Sequence, residues 1–246
     1  MALDWTTETL RLSLFCSENV KLTIANWTTI TGQDEPQTVQ NVAPRRSFVG
    51  PFHDGTLNIS AVGPRVDCVL LPKSPTEAIE EGYVPTIGSW PSACDAFVKA
   101  TSEWLARFEQ PVHRIAFGGS LIAKCESITD AYRQLLSMLQ SVKGDPNRMR
   151  ELIYRVSWPL QSKAVDGLLL NRITSWATLQ IQLQLMVQTG AKTTMTETAA
   201  THVVRLEIDH STDADRTNPF DRSQLVPIYR ELVSLAAENA EKGEVL

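Results

Sequence analysis

The sequence predicts an α+β fold: a largely antiparallel sheet with about three long helices packed on one face. Three observations carry this. Period-two apolar segments gather in the first and last thirds instead of alternating regularly with helices, which argues against parallel βαβ units. Two stretches in the middle have helical spacing. The last fifth, His202–Leu246, reads as a strand, an acidic loop and a long helix in succession. One domain over residues 1–246 is expected, with a sub-division near 143–150 as the alternative. A strand–helix pairing recurs in both halves, so two similar α+β units also fit the order.

The N-terminal third reads as β. Leu10, Leu12, Leu14 and Cys16 alternate with polar residues, and Val20, Leu22 and Ile24 do so again after a turn at Ser17-Glu18-Asn19. The segment 31–51 is polar, contains proline, lacks a period, and is expected to be a mobile loop. A hairpin follows: Leu57, Ile59 and Ala61, the turn Gly63-Pro64-Arg65, then Val66, Cys68 and Leu70. Residues 72–88, with three prolines and two glycines, read as a connector.

In the middle, Trp90, Cys94, Phe97, Thr101, Trp104 and Phe108 form one helical stripe, with Ser89 as its cap and Pro91 in the first turn. A second helix covers Ile128–Leu139 behind a Ser127/Asp130 cap. The strand Val112–Cys125 between them is interrupted by Gly118-Gly119, which points to a bulge or close backbone approach.

The C-terminal third returns to β. Tyr154, Val156 and Trp158 alternate until Pro159, and Leu168–Ile173 is a short apolar run. Leu179–Val187 alternates with Gln180, Gln182, Gln184, Met186 and Gln188, and a loop at 189–201 leads to Val204, Leu206 and Ile208. If these two strands pair with their apolar faces together, the glutamines share the other face with Arg205, Glu207 and Asp209. The final helix, with Leu225, Ile228, Tyr229 and Leu232 on one side, is expected to start at Ser223.

Composition narrows the function classes. The 246 residues are 43% hydrophobic and 21% charged, ordinary for a globular protein, and the formal charge of −5 gives no global attraction to nucleic acid or anionic lipid. The four cysteines form no CxxC pair, so structural zinc is not expected. No apolar run spans a bilayer and the first residues do not read as a signal peptide, so a cytoplasmic protein without a membrane partner is expected. No Gly-rich phosphate loop, GxSxG or HExxH pattern is present.

Three surfaces could carry function. Gln180, Gln182, Gln184, Arg205, Glu207 and Asp209 would form a polar sheet face for a protein partner. Asp209, His210, Asp213 and Asp215 have oxygen and nitrogen donors at a spacing that a divalent-metal hydrolase or nuclease could use, although the EF-hand pattern is absent. Residues 143–172 carry a small excess of Lys and Arg that could bind nucleic acid. Among the six tryptophans, Trp90, Trp104 and Trp158 are expected in the core, and an exposed one among Trp5, Trp27 and Trp176 could anchor a partner.

The segments 89–97 (SWPSACDAF), 112–120 (VHRIAFGGS) and 205–209 (RLEID) resemble a sporadically distributed group of uncharacterised bacterial proteins, over most of residues 55–242. The resemblance implies the same closing strand–helix arrangement, and no catalytic residue is carried over from it. It also fits an accessory gene of a mobile or defence locus. The expectation drawn from the whole sequence is a non-enzymatic binding or regulatory protein without a cofactor, acting on a protein partner as an accessory or inhibitor subunit beside an effector.

Overall fold

The computed structural model describes residues 3–75, 82–182, 184–189, 192–197 and 200–245, with the side chains of 184–189 and 192–197 outside that description. The strands are β1 (Thr6–Cys16), β2 (Thr38–Val42), β3 (Arg45–Phe52), β4 (Gly55–Val62), β5 (Arg65–Pro72), β6 (Val112–Cys125), β7 (Ile153–Ser157), β8 (Leu160–Gln161), β9 (Leu169–Ile181), β10 (Gln184–Thr189), β11 (Lys192–Glu197) and β12 (Thr201–Thr212). The helices are α1 (Ile24–Thr31), α2 (Trp90–Arg107), α3 (Ile128–Met138) and α4 (Arg222–Lys242). The protein is therefore α+β. Ten strands form one antiparallel sheet in the order β2-β3-β4-β5-β1-β6-β12-β9-β7, with β8 also paired to β9; β10 and β11 form a separate hairpin.

The long strands take the centre because both their neighbours and one face are covered. Leu10, Leu12, Leu14 and Cys16 of β1 alternate into the core, as do Phe117, Leu121 and Ala123 of β6 and Val204, Leu206 and Ile208 of β12. The helices close over this face. Trp104 and Phe97 of α2, Leu135 of α3 and Tyr229 and Leu232 of α4 are buried among the strand residues. Each such side chain contributes about 1.5–3 kcal/mol by leaving water. Polar tips inside the core are matched: Thr101 Oγ1 and Tyr229 Oη are 2.8 Å apart, and the Trp5 indole N–H donates to the Ala240 carbonyl at 2.8 Å.

Several expectations need correction. Val20–Ile24 is no strand, because Thr23 and Asn26 form a capping box that starts α1 and Gly32 ends it with φ 70°. The segment expected as a mobile loop holds β2 and β3. Phe48 and Phe52 are buried, and Gly50 lies so close to the Trp27 ring that a Cβ would stand 2.9 Å from it. Gly118-Gly119 does not interrupt β6; the bulges fall in its partner pairing at Thr7/Thr9 and Phe15/Cys16. The expected strand 179–187 is divided between β9 and β10, and the expected loop 189–201 contains β11. Trp158 lies beyond β7 with 38% exposure, whereas Trp5, Trp27 and Trp176 are buried. The last helix begins at Arg222 behind an Asp221/Gln224 capping box, so Pro227 is inside it.

Candidate functional site on the open sheet face

Side chains alternate along a strand, so residues between the core positions project to the face that the helices leave uncovered. At its centre is a shallow basin of about 450 Å³, lined by residues of β1, β5, β6, β12, β9 and β7. Arg11, Gly118 and Asp209 are in register on three adjacent strands. Arg11 Nη2 donates to Asp209 Oδ1 at 3.1 Å. Gly118 makes room for this reach, since a Cβ there would stand 3.1 Å from Arg11 Nη2.

A second network lies one row along. The register slips between Thr7 and Thr9, so Glu8 is the additional residue of a bulge, and its carboxylate turns to the open face. Ser120 Oγ donates to Glu8 Oε2 at 2.6 Å, and Arg205 Nε donates to the same oxygen at 2.8 Å. Arg205 Nη1 pairs with Glu207 Oε1 at 3.1 Å. Arg155 of β7 also lines the basin and makes no ion pair among the described residues.

The two ends of the face differ chemically. At one end Phe15 lies between two arginines from the flanking strands: the Arg65 guanidinium carbon is 5.3 Å from the ring centroid and that of Arg114 is 4.9 Å. Arg65 Nη2 also donates to Asp67 at 2.8 Å, and Arg114 Nη2 to Ser211 Oγ at 3.2 Å. At the other end Ile122, Val203 and Val84 form a small apolar cluster with Leu179 and Ile181. Lys124 Nζ donates to the Gly82 carbonyl at 3.0 Å, which holds the connector across this end.

Of the expected recognition residues, Arg205, Glu207 and Asp209 share the open face, but Gln180 does not join them. Gln180 pairs with His202, in the phase of core residues Val204 and Leu206, while Leu179 and Ile181 turn outward. The apolar cluster with Val84 inverts the expected phase. Gln182 lies just past β9 and is exposed; Gln184 is in β10, which pairs with β11 rather than β12, and its side chain lies outside the described residues. Glu8, Arg11, Ser120, Phe15, Arg65 and Arg114 were missed. For all but Glu8 the signal is an outward position on a good strand; Glu8 shares the phase of Leu10 and Leu12, and only the bulge turns it outward.

The acidic group does not assemble. Asp209 and His210 are consecutive in β12 and point to opposite faces. His210 is fully buried with Nδ1 3.2 Å from the Leu232 carbonyl oxygen. Burial, aided by the nearby Arg172 charge and only partly opposed by the Leu232 carbonyl, lowers its pKa to about 4. Asp213 and Asp215 lie in the turn beyond, where Asp215 N–H donates to Asp213 Oδ1 at 3.1 Å. Among the described residues no group of three or more His, Cys, Asp or Glu side chains is placed to hold a metal.

Nor do residues 143–172 form one basic patch: Arg172 is buried and donates to the Val245 carbonyl at 2.6 Å, whereas Arg155 faces the basin. The four cysteines are free, and burial pushes the Cys16 and Cys94 thiols up to about 12. Protonated thiols are poor nucleophiles. Among the described residues no helix is long and apolar enough to cross a membrane.

No protein-family model, curated protein or solved structure matches the chain.

Proposed function

We propose that the protein is a non-enzymatic binding protein whose partner, another protein, docks on the open sheet face. The observation that carries this reading is the charged network of Arg11, Asp209, Glu8, Ser120, Arg205 and Glu207 on the face without helices. Its guanidinium and carboxylate groups are already oriented by one another, so less side-chain entropy is lost on binding. The basin is broad and shallow, a shape for a macromolecular surface rather than an enclosed small molecule. Histidines His53, His113 and His210 lie apart from this network: His113 bonds the Arg216 carbonyl at 3.1 Å and His210 is inside the core. The reading extends to a cytoplasmic regulator or inhibitor acting beside an effector.

The same reading includes a duplicated architecture. β1, α1, β2–β5 and α2 run in the order strand, helix, antiparallel strands, helix, and so do β6, α3, β7–β12 and α4. In each unit the last strand pairs with the first, β5 with β1 and β12 with β6, and β1 pairs with β6 where the units meet. The open face would then be a composite surface centred on that junction.

Affinity purification from the native host, followed by reconstitution with the purified, identified partner, tests the reading. A stoichiometric complex weakened more than tenfold by Gly118→Leu is expected. Failure to recover a partner, together with turnover of a small substrate by the pure protein, would overturn it.

A further inference from the structure

We infer that one end of the open face, the row Arg45, Arg65 and Arg114, takes an extended acidic segment of the partner with apolar residues between its acids. The inference rests on the proposed binding role of this face. Strand register sets the row: Val42, Arg45, Val62, Arg65, Phe15 and Arg114 stand side by side on six adjacent strands. Neighbouring strands are about 4.8 Å apart, so successive arginines, two strands apart, recur at about 10 Å. In the extended polyproline-II conformation every third residue returns to the same side of the chain and recurs at nearly the same distance, since three residues make a turn at about 3.1 Å each.

The charge is unbalanced. Asp67 takes Arg65, whereas Arg45 and Arg114 make no ion pair among the described residues. Arg114 Nε is buried without an acceptor. Val42 and Val62, exposed by 73% and 45%, supply apolar contacts between the charges.

The planar fork of each guanidinium suits a carboxylate. Nucleic acid fits less well. Phe15 is flanked by arginines from both neighbouring strands, so a base has no ring face to stack on.

The test uses the full chain and a fluorescein-labelled peptide with glutamate at every third position and valine between, read by anisotropy at low salt. Binding at least tenfold tighter than to the glutamine version of the peptide is expected. Arg45→Glu and Arg114→Ala should each weaken it about tenfold or more, and Arg45→Glu, an exposed change, should leave the melting temperature unchanged. Equal binding of the two peptides, variants that bind like wild type, or tighter binding of an oligothymidylate would overturn the inference. If Gly118→Leu disrupts the reconstituted partner complex while Arg45→Glu and Arg114→Ala leave it unchanged, this inference fails and the binding role stands. If no partner is recovered and the pure protein turns over a small substrate, the binding role itself fails.

Discussion

Arg11 reaches across the backbone of Gly118 to bond Asp209 at 3.1 Å, so two residues 198 positions apart are joined over a third strand. With 39% and 51% of the two side chains exposed, the ion pair contributes at most about 1 kcal/mol to stability. Asp209→Ala is therefore expected to shift the urea midpoint only slightly yet to weaken the partner complex more than tenfold. A large loss of stability without loss of binding would assign the pair to the fold instead.

His210 gives the protein a pH-dependent stability. Its pKa is about 4 in the folded state against the ordinary 6.5, so the unfolded chain takes up the proton first. The stabilisation is complete above pH 6.5 and is lost as pH falls through 4, a difference on the order of 3 kcal/mol. Denaturant titrations between pH 7 and 4 should show this decline, and His210→Leu should flatten it. An unchanged slope in the variant would exclude His210 as its source.

Gly50 lies under the Trp27 ring, and a Cβ would meet two ring atoms at 2.9 Å. Because Trp27 is fully buried, Gly50→Ala is expected to cost about 1–3 kcal/mol. For a chain of this length that lowers the melting temperature by about 2–4 °C per kcal/mol. A variant as stable as wild type would mean that the ring relaxes without strain.

Thiol reactivity should follow burial. Cys16, Cys68 and Cys94 are buried with raised pKa, whereas Cys125 is partly exposed and raised by burial to a lesser extent. Mass spectrometry after brief iodoacetamide treatment at pH 8 should find Cys125 modified first, and all four modified in denaturant. Early modification of Cys94 would point to opening of the α2 surface.

Glu244 anchors the chain just beyond α4: it accepts from the Ser141 N–H at 2.8 Å and from the Tyr154 hydroxyl. Burial alone would raise its pKa, but these bonds hold it below the usual carboxylate value. Glu244→Ala should cost about 1–3 kcal/mol and open residues after 240 to limited proteolysis. Equal resistance of variant and wild type would show that α4 packing alone holds the end.

Local pattern was enough for α2, α3, β6 and the β4–β5 hairpin, because a helical stripe or a strict alternation is written in consecutive residues and needs no distant partner. It was also enough to put Arg205, Glu207 and Asp209 on the outward face of β12. It failed for β9, where Leu179 and Ile181 look like core. The period is real, but only the contact with Val84 and Ile122 determines which face it serves.

The sequence by itself determined the α+β class, the phase of most strands and the absence of familiar catalytic patterns. Tertiary structure alone decided which outward residues meet. Pairing of β1 with β6 and β6 with β12 puts Arg11 beside Asp209 and Glu8 beside Arg205, while one step along β12 sends His210 to the other face. Strand order is a property of the whole chain, and charged groups nearly two hundred positions apart become neighbours only when the sheet closes around a shared core.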